Sequence, residues 1–133
     1  MKYVIPLEPR TKKNHSMIVR GRLIPSKEYA AYRRDAIMFL KPLPAPIDYP
    51  VNVKALYYMK TRRRVDLNNL HSALMDILVD AEILLDDNAK IVAGTDGSRV
   101  LYDKENPRTE VFIEKLCDDR EENERERTQT LFE

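Results

Sequence analysis

Residues 62–88 of the chain, RRRVDLNNLHSALMDILVDAEILLDDN, contain the pattern that decides the fold. Their apolar side chains recur at the spacing of an amphipathic helix, and Asp66 stands at the N-cap position before the first of them. A helix over residues 67–80 would rise about 20 Å. We therefore predict a main helix whose apolar stripe consists of Leu67, Leu70, Leu74, Ile77, Leu78 and Ala81.

The segments on either side of this helix predict a small α+β fold. In residues 51–59 every second side chain is apolar, with the period of a strand, and Leu56 and Tyr58 make the other face partly apolar. Ser26 is placed to cap an earlier helix that runs to about Leu40, where the prolines of KPLPAPIDYP end it. Shorter extended segments are expected at residues 2–6, 16–25, 90–93, 99–102 and 109–116. This order indicates a small mixed sheet packed with two main helices in a single domain, residues 1–116, followed by a charged tail, residues 117–133.

Length and composition exclude several classes of protein. A chain of 133 residues suits one domain, and its three glycines form neither a P-loop nor a Rossmann turn, so we expect no nucleotide cofactor. One cysteine and two histidines cannot build a structural zinc site or a disulfide framework. No apolar signal core begins the chain, and it has no apolar run long enough to span a membrane. We expect a cytoplasmic protein with no membrane partner.

Charge is strongly polarised along the chain. Residues 1–72 carry fifteen Lys or Arg against five Asp or Glu, whereas residues 73–133 carry eight against seventeen. A basic region joined to an acidic one is typical of proteins that bind polyanions, and it favours nucleic acid as the partner. A solvated surface with segregated charge gives the same count, so the asymmetry alone leaves both interpretations open.

Acidic side chains bracket the main helix, behind the arginine run at residues 62–64. Asp66 begins the helix, and Asp86 and Asp87 follow it. Mg²⁺ takes one or two carboxylates in proteins, and a metal held in this way activates water for phosphodiester cleavage. Arginines attract the phosphates that are to be cut. The alternative interpretation is structural: Asp66 is only an N-cap, Asp86 and Asp87 belong to a turn, and the arginines lie at a solvated strand end.

The reach of the chain limits how these carboxylates can meet. The seven steps from Asp80 to Asp87 span about 23 Å when extended, which just covers the length of the helix. The two acidic groups therefore share a site within one chain only if residues 81–85 double back along the helix. Otherwise a second subunit has to complete the site.

The motifs resemble those of the RusA-type Holliday junction resolvases over about residues 1–116. In that family an arginine pair precedes an aspartate-rich helix start, and a pair of aspartates follows the helix. Arg63-Arg64, Asp66, Asn69 and Asp86-Asp87 match this order and separation. The chain also matches at Lys12-Lys13-Asn14 and at Gly21-Arg22 before Ser26, and residues 96–108 are similar to a phage-borne branch of the family.

The resemblance implies a Mg²⁺-dependent endodeoxyribonuclease, with Mn²⁺ as a substitute metal. It would act as an intertwined homodimer that resolves four-way DNA junctions by paired strand nicks during phage or prophage recombination and repair. The metal ligands implied are Asp66, Asp86 and Asp87, with Asn68 as a further catalytic position. The DNA-binding residues implied are Lys12, Lys13, Asn14, Arg62, Arg63, Arg64, Arg99 and Lys104.

Two positions depart from the family pattern. Asn68 stands where the family has its second aspartate, and Ser72 stands where it has a lysine one turn into the helix. Asn68 keeps an oxygen ligand but brings no charge, and Ser72 brings no ammonium group. The sequence does not choose between Lys90, Lys104 and His71 as a replacement for that lysine. The alternative function is therefore a catalytically weakened protein of the same fold that binds junctions or other DNA.

Overall fold

The chain folds into a mixed sheet with two helices, as the sequence predicts for an α+β protein. The structure, a computed structural model, describes residues 1–12, 17–19, 22–24 and 26–116. Gly21 of the matched motif and the charged tail lie outside the described residues. In chain order the elements are β1 (Lys2–Ile5), β2 (Met17–Val19), β3 (Arg22–Ile24), α1 (Lys27–Ile37), β4 (Val51–Met59), α2 (Leu67–Asp80), β5 (Val92–Gly94), β6 (Arg99–Tyr102) and β7 (Arg108–Lys115).

Strand β4 is the central strand of the five-stranded sheet. On one side β7 pairs antiparallel with almost its whole length, and β1 pairs antiparallel with β7. The other side of β4 is shared by two short strands. Strand β5 pairs parallel with the start of β4 at Val51, and β6 pairs parallel with residues 56–59 at its end. Parallel neighbours need a crossover connection, which α2 supplies. Strands β2 and β3 form a separate antiparallel ribbon.

The helices cover one face of this sheet. Alternate residues of β4 from Val51 to Met59 are buried, because successive side chains of a strand point to opposite faces. Val111 and Ile113 of β7 are buried in the same core. The apolar stripe of α2 fills the core as predicted, with Leu70, Leu74, Ile77 and Leu78 among its buried residues.

Helix α1 ends three residues before its predicted end. Ser26 caps it as predicted, since its Oγ accepts a hydrogen bond from the N–H of Tyr29 at 3.1 Å. After Ile37 the N–H groups of residues 38–40 donate to the carbonyls three residues earlier, which is the tighter pattern of a final 3₁₀ turn. This turn keeps Leu40 buried before the proline segment begins. Of the two helices in the described residues, neither has the length and apolar character that a membrane span needs.

Candidate active site

Asp66 caps the first turn of α2 and remains accessible from solvent. Its backbone is extended (φ −97°, ψ 124°), and its Oδ1 accepts a hydrogen bond from the N–H of Asn68 at 2.9 Å. That bond satisfies one of the four N–H groups that the start of a helix leaves unpaired. Because the side chain is exposed, the structural role of Asp66 leaves it accessible as a ligand.

A cleft of about 490 Å³ opens beside this helix start. Its lining is formed by Thr11, Arg64, Val65, Asp66, Leu67 and Asn69. Carboxylate, amide and hydroxyl oxygens are the ligands that hard divalent cations prefer, while Arg64 brings the charge that a phosphate needs. Thr11 is a lining residue that nothing in the sequence singles out. The predicted residue Asn68 is not part of the lining but is exposed on the same turn of the helix as the lining residue Asn69. The cleft thus combines an acidic centre with a cationic side chain.

The arginine run lies at the same end of the sheet as Asp66. Residues 60–65 connect the end of β4 to α2, and the guanidinium of Arg62 packs over the ring of Tyr102, with its Cζ 4.7 Å from the ring centroid. Within residues 1–12 and 26–116 no carboxylate forms an ion pair with Arg62, Arg63 or Arg64. Their positive charges are therefore not neutralised by these parts of the chain.

Asp86, Asp87 and Asn88 form a polar turn ahead of β5. Asp86 accepts a hydrogen bond from the N–H of Asp87 at 2.7 Å and another from the side-chain amide of Asn88 at 3.2 Å. The bond from the backbone of Asp87 holds the pKa of the Asp86 carboxyl below its usual value. Both aspartates are exposed. The Asp86 carboxylate is thus ionised at neutral pH, and its oxygens can serve as metal ligands.

The turn after α2 stays at the C-terminal end of the helix. The N–H of Ile83 donates to the carbonyl of Leu78 at 3.0 Å, and the N–H of Leu85 donates to the carbonyl of Ile47 at 3.0 Å. These bonds fix the following residue, Asp86, beyond the end of α2. The condition for a site within one chain, a segment that doubles back along the helix, is not met.

Asp66 and Asp86 consequently lie at opposite ends of the sheet. Asp66 lies in the connection that leads from the end of β4 to α2. Asp86 lies in the connection from α2 to β5, and β5 pairs with the first residue of β4. The eight steps from Val51 to Met59 cover about 26 Å. Among the residues that the structure describes, no group of three His, Cys, Asp or Glu side chains is placed to hold a metal ion. A site that contains both acidic groups requires two chains.

His71 lies one turn inside α2 and is tied to the centre of the sheet. Its Nδ1 is 2.7 Å from the hydroxyl of Tyr57, and the two ring centroids are 5.4 Å apart. Burial lowers the pKa of His71 and raises the pKa of the Tyr57 phenol. The imidazole is therefore neutral at neutral pH and does not replace the positive charge of a lysine.

The other two candidates for the missing lysine lie at opposite ends of the sheet. The backbone of Lys90 donates to the side chain of Asn88 at 3.0 Å, which places Lys90 beside the Asp86 turn. Lys104 follows β6, and the N–H of its neighbour Asp103 donates to the carbonyl of Met59 at 2.9 Å. Within one chain, Lys104 is thus at the Asp66 end and Lys90 is at the other.

The remaining predicted DNA-binding residues are dispersed. Lys12 forms an ion pair with Asp76 of α2. Arg99 is exposed at the start of β6, opposite Leu56. Lys13 and Asn14 lie outside the described residues.

The fold and the site define a small α+β protein with an acidic cleft and a cationic flank, the combination suited to binding and processing phosphodiesters. A family model described as endodeoxyribonuclease RusA matches residues 6–114. The match covers most of the chain, which therefore belongs to the RusA endodeoxyribonuclease family, and the resemblance seen in the sequence is confirmed. Members of this family are DNA-binding endonucleases that act on Holliday junctions. No curated protein matches the chain.

Proposed function

We propose that the chain is a Mg²⁺-dependent endodeoxyribonuclease of the cytoplasm that resolves four-way DNA junctions by paired nicks, during recombination and repair of phage or prophage DNA. The observation that carries the proposal is the cleft in which Asp66 lies beside Arg64, in a chain of the RusA family. Its catalytic residues are Asp66, Asp86, Asp87 and Asn68.

The active unit in this proposal is a homodimer with shared sites. Asp66 of one subunit and Asp86 and Asp87 of the other subunit form each site, since these residues are held at opposite ends of a single chain. A twofold axis creates two equal sites, one for each of the two strands to be nicked. Leu85, next to Asp86, is 58% exposed, and a second copy seated there would cover this apolar side chain.

The donors of a shared site suit Mg²⁺ or Mn²⁺. Asp66 and Asn69 come from the cleft, and the other chain adds the carboxylates of Asp86 and Asp87. A bound divalent ion lowers the pKa of an attacking water and neutralises charge on the leaving oxygen. Asn68 is exposed on the same turn as Asp66 and brings no formal charge to this end of the helix. We therefore expect half-saturation at a higher Mg²⁺ concentration than for a chain with an aspartate at this position.

The basic residues of the chain serve to hold the DNA arms in this proposal. Phosphate contacts by arginine and lysine release counterions, so the affinity for DNA falls steeply with salt. Arg63 and Arg64 are the best supported, since they are exposed and form no ion pair with a described carboxylate. The full proposed set is Lys12, Lys13, Asn14, Arg62, Arg63, Arg64, Arg99 and Lys104.

Cleavage of a synthetic four-way junction tests the proposal. The protein is incubated with Mg²⁺, with Mn²⁺ or without metal, as wild type, Asp66→Asn, Asp87→Asn and Asn68→Asp. We expect paired nicks that depend on metal in the wild type, and at least a hundredfold slower cutting in both Asp→Asn variants with junction binding retained. Asp35→Asn, a change on α1 away from the cleft, is the matched control and should cut like the wild type.

The alternative, a junction-binding protein with a weakened site, is supported by Asn68 and Ser72. It predicts a different result in the same assay. Wild type would then bind the junction without nicking it under either metal, and Asn68→Asp alone would restore cutting. That outcome would replace the proposed nuclease by a binding protein.

A further inference from the structure

Tyr102 is an exposed aromatic side chain at the end of β6, opposite Met59 at the end of β4 from which the chain leads to Asp66. It pairs with Met59 in the parallel ladder of β6 with β4, and the next N–H, of Asp103, donates to the carbonyl of Met59 at 2.9 Å. The backbone that carries the ring is therefore held on both sides of its attachment point. The side chain nevertheless remains 42% exposed, so part of the ring is accessible to a partner.

Arg62 adds a positive charge to this ring. Its guanidinium lies over the Tyr102 ring with Cζ 4.7 Å from the centroid, and its own side chain is exposed. A guanidinium is attracted to the face of an aromatic ring, so the pair combines an aromatic surface with a positive charge. Arg62 is two residues before Arg64, which lines the cleft with Asp66.

The tyrosines of β4 do not offer such a surface. Tyr57 is only 1% exposed. Tyr58 lies under the guanidinium of Arg108, 3.8 Å from the ring centroid, and Arg108 is neutralised by Asp103 and Glu110 at 2.9 and 3.0 Å. Among the described residues no carboxylate pairs with Arg62, which distinguishes its stack with Tyr102 from that of Arg108 with Tyr58.

We propose that the Arg62–Tyr102 pair stacks against an exposed base at the branch point of the DNA junction. The inference rests on the proposed function and adds to it a source of preference for branched DNA. A continuous duplex covers both faces of every internal base, whereas the stack is interrupted at a branch and leaves base faces open. Stacking on an aromatic ring tolerates any base, so the pair recognises the shape of the DNA rather than its sequence.

Binding measurements without divalent metal test this inference apart from cleavage. The affinities of wild type, Tyr102→Ala, Tyr102→Leu and Tyr102→Phe are compared on a four-way junction and on a linear duplex of the same arm sequence. We expect Tyr102→Ala and Tyr102→Leu to lose about tenfold in affinity for the junction and less than twofold for the duplex. Tyr102→Phe keeps the ring and should keep both affinities.

Phe112 supplies a matched control. The ammonium groups of Lys2 and Lys54 lie 5.3 and 4.7 Å from its ring centroid, and it pairs with Lys54 in the middle of β4, away from both ends of the sheet. Phe112→Ala should therefore leave both affinities unchanged.

Three outcomes would overturn the inference. Full junction affinity in Tyr102→Ala and Tyr102→Leu would remove the stacking contact. Equal losses on junction and duplex would make Tyr102 a general DNA contact without selectivity. A wild type that binds junction and duplex equally would contradict the proposed function itself, which separates that failure from the first two.

Discussion

Tyr57 and His71 connect the buried centre of β4 to the helix that begins at the candidate site. Their hydrogen bond, 2.7 Å long, joins a phenol that is almost completely buried to a half-buried imidazole. The neutral state of His71 is thus part of the fold, because burial disfavours its charged form. This pair is a structural support for the first turns of α2 rather than a source of positive charge.

The lowered pKa of His71 predicts how stability depends on pH. Between its folded-state pKa and the value of 6.5 for an exposed histidine, the unfolded chain binds a proton that the folded chain does not. The contribution of His71 to stability is therefore fully present above pH 6.5 and is lost as the pH falls from 6.5 to the folded-state pKa. Urea unfolding at about pH 7.5 and 5.5 should show a larger loss for wild type than for His71→Gln. Equal losses in the two proteins would contradict this role.

Asp66 shows how one residue can serve both the helix and the site. As an N-cap it accepts a hydrogen bond from the N–H of Asn68, and as an exposed carboxylate beside Asn69 and Arg64 it is a metal ligand in the proposed site. Asparagine at this position keeps the cap but removes the charge, whereas alanine removes both. The two substitutions therefore separate stability from activity.

At the scale of the element, α2 depends on this cap. We expect Asp66→Ala to lower the free energy of unfolding by about 1 kcal/mol and Asp66→Asn to change it by only a few tenths. Urea unfolding followed by circular dichroism measures both, with wild type as the reference. If Asp66→Ala is as stable as wild type, the cap contributes nothing to α2.

The sequence predicts the main elements because their patterns are local. The alternation of β4 and the period of α2 both follow from side chains near one another in the chain. Strand β4 and helix α2 both lie where the sequence predicts them. The cap residues Ser26 and Asp66 are also local features, and both were predictable. The early end of α1 was not, since it depends on a 3₁₀ turn that keeps Leu40 in the core.

The geometry of the site was less predictable because it depends on distant contacts. The path of the turn after α2 is fixed by a bond between Leu85 and Ile47, which are far apart in sequence. The exposure of Tyr102 likewise follows from the edge position of β6, which no local pattern reveals. The motif spacing indicated the acidic residues, but only the topology shows that one chain holds them apart.

At the scale of the whole molecule, the opposite placement of Asp66 and Asp86 is the reason that the proposed site needs a dimer. A subunit alone has the cleft and the arginines at one end and the acidic turn at the other. In a dimer with a twofold axis, the Asp66 end of each subunit can lie beside the Asp86 end of the other, and both sites are then complete. Activity should therefore require association, and dilution below the dimer dissociation constant should abolish cutting along with the dimer.

The central claim, that each site combines Asp66 of one subunit with Asp87 of the other, is tested most directly by mixing two inactive variants. Asp66→Asn and Asp87→Asn are unfolded together and refolded at equal concentrations, and junction nicking with Mg²⁺ is measured. A mixed dimer then contains one site with both aspartates intact and one site with neither. We predict that the mixture regains nicking, with single nicks outnumbering paired ones, while each variant alone stays inactive. A mixture of confirmed mixed dimers as inactive as its components would show that both aspartates act within one chain and would contradict the account.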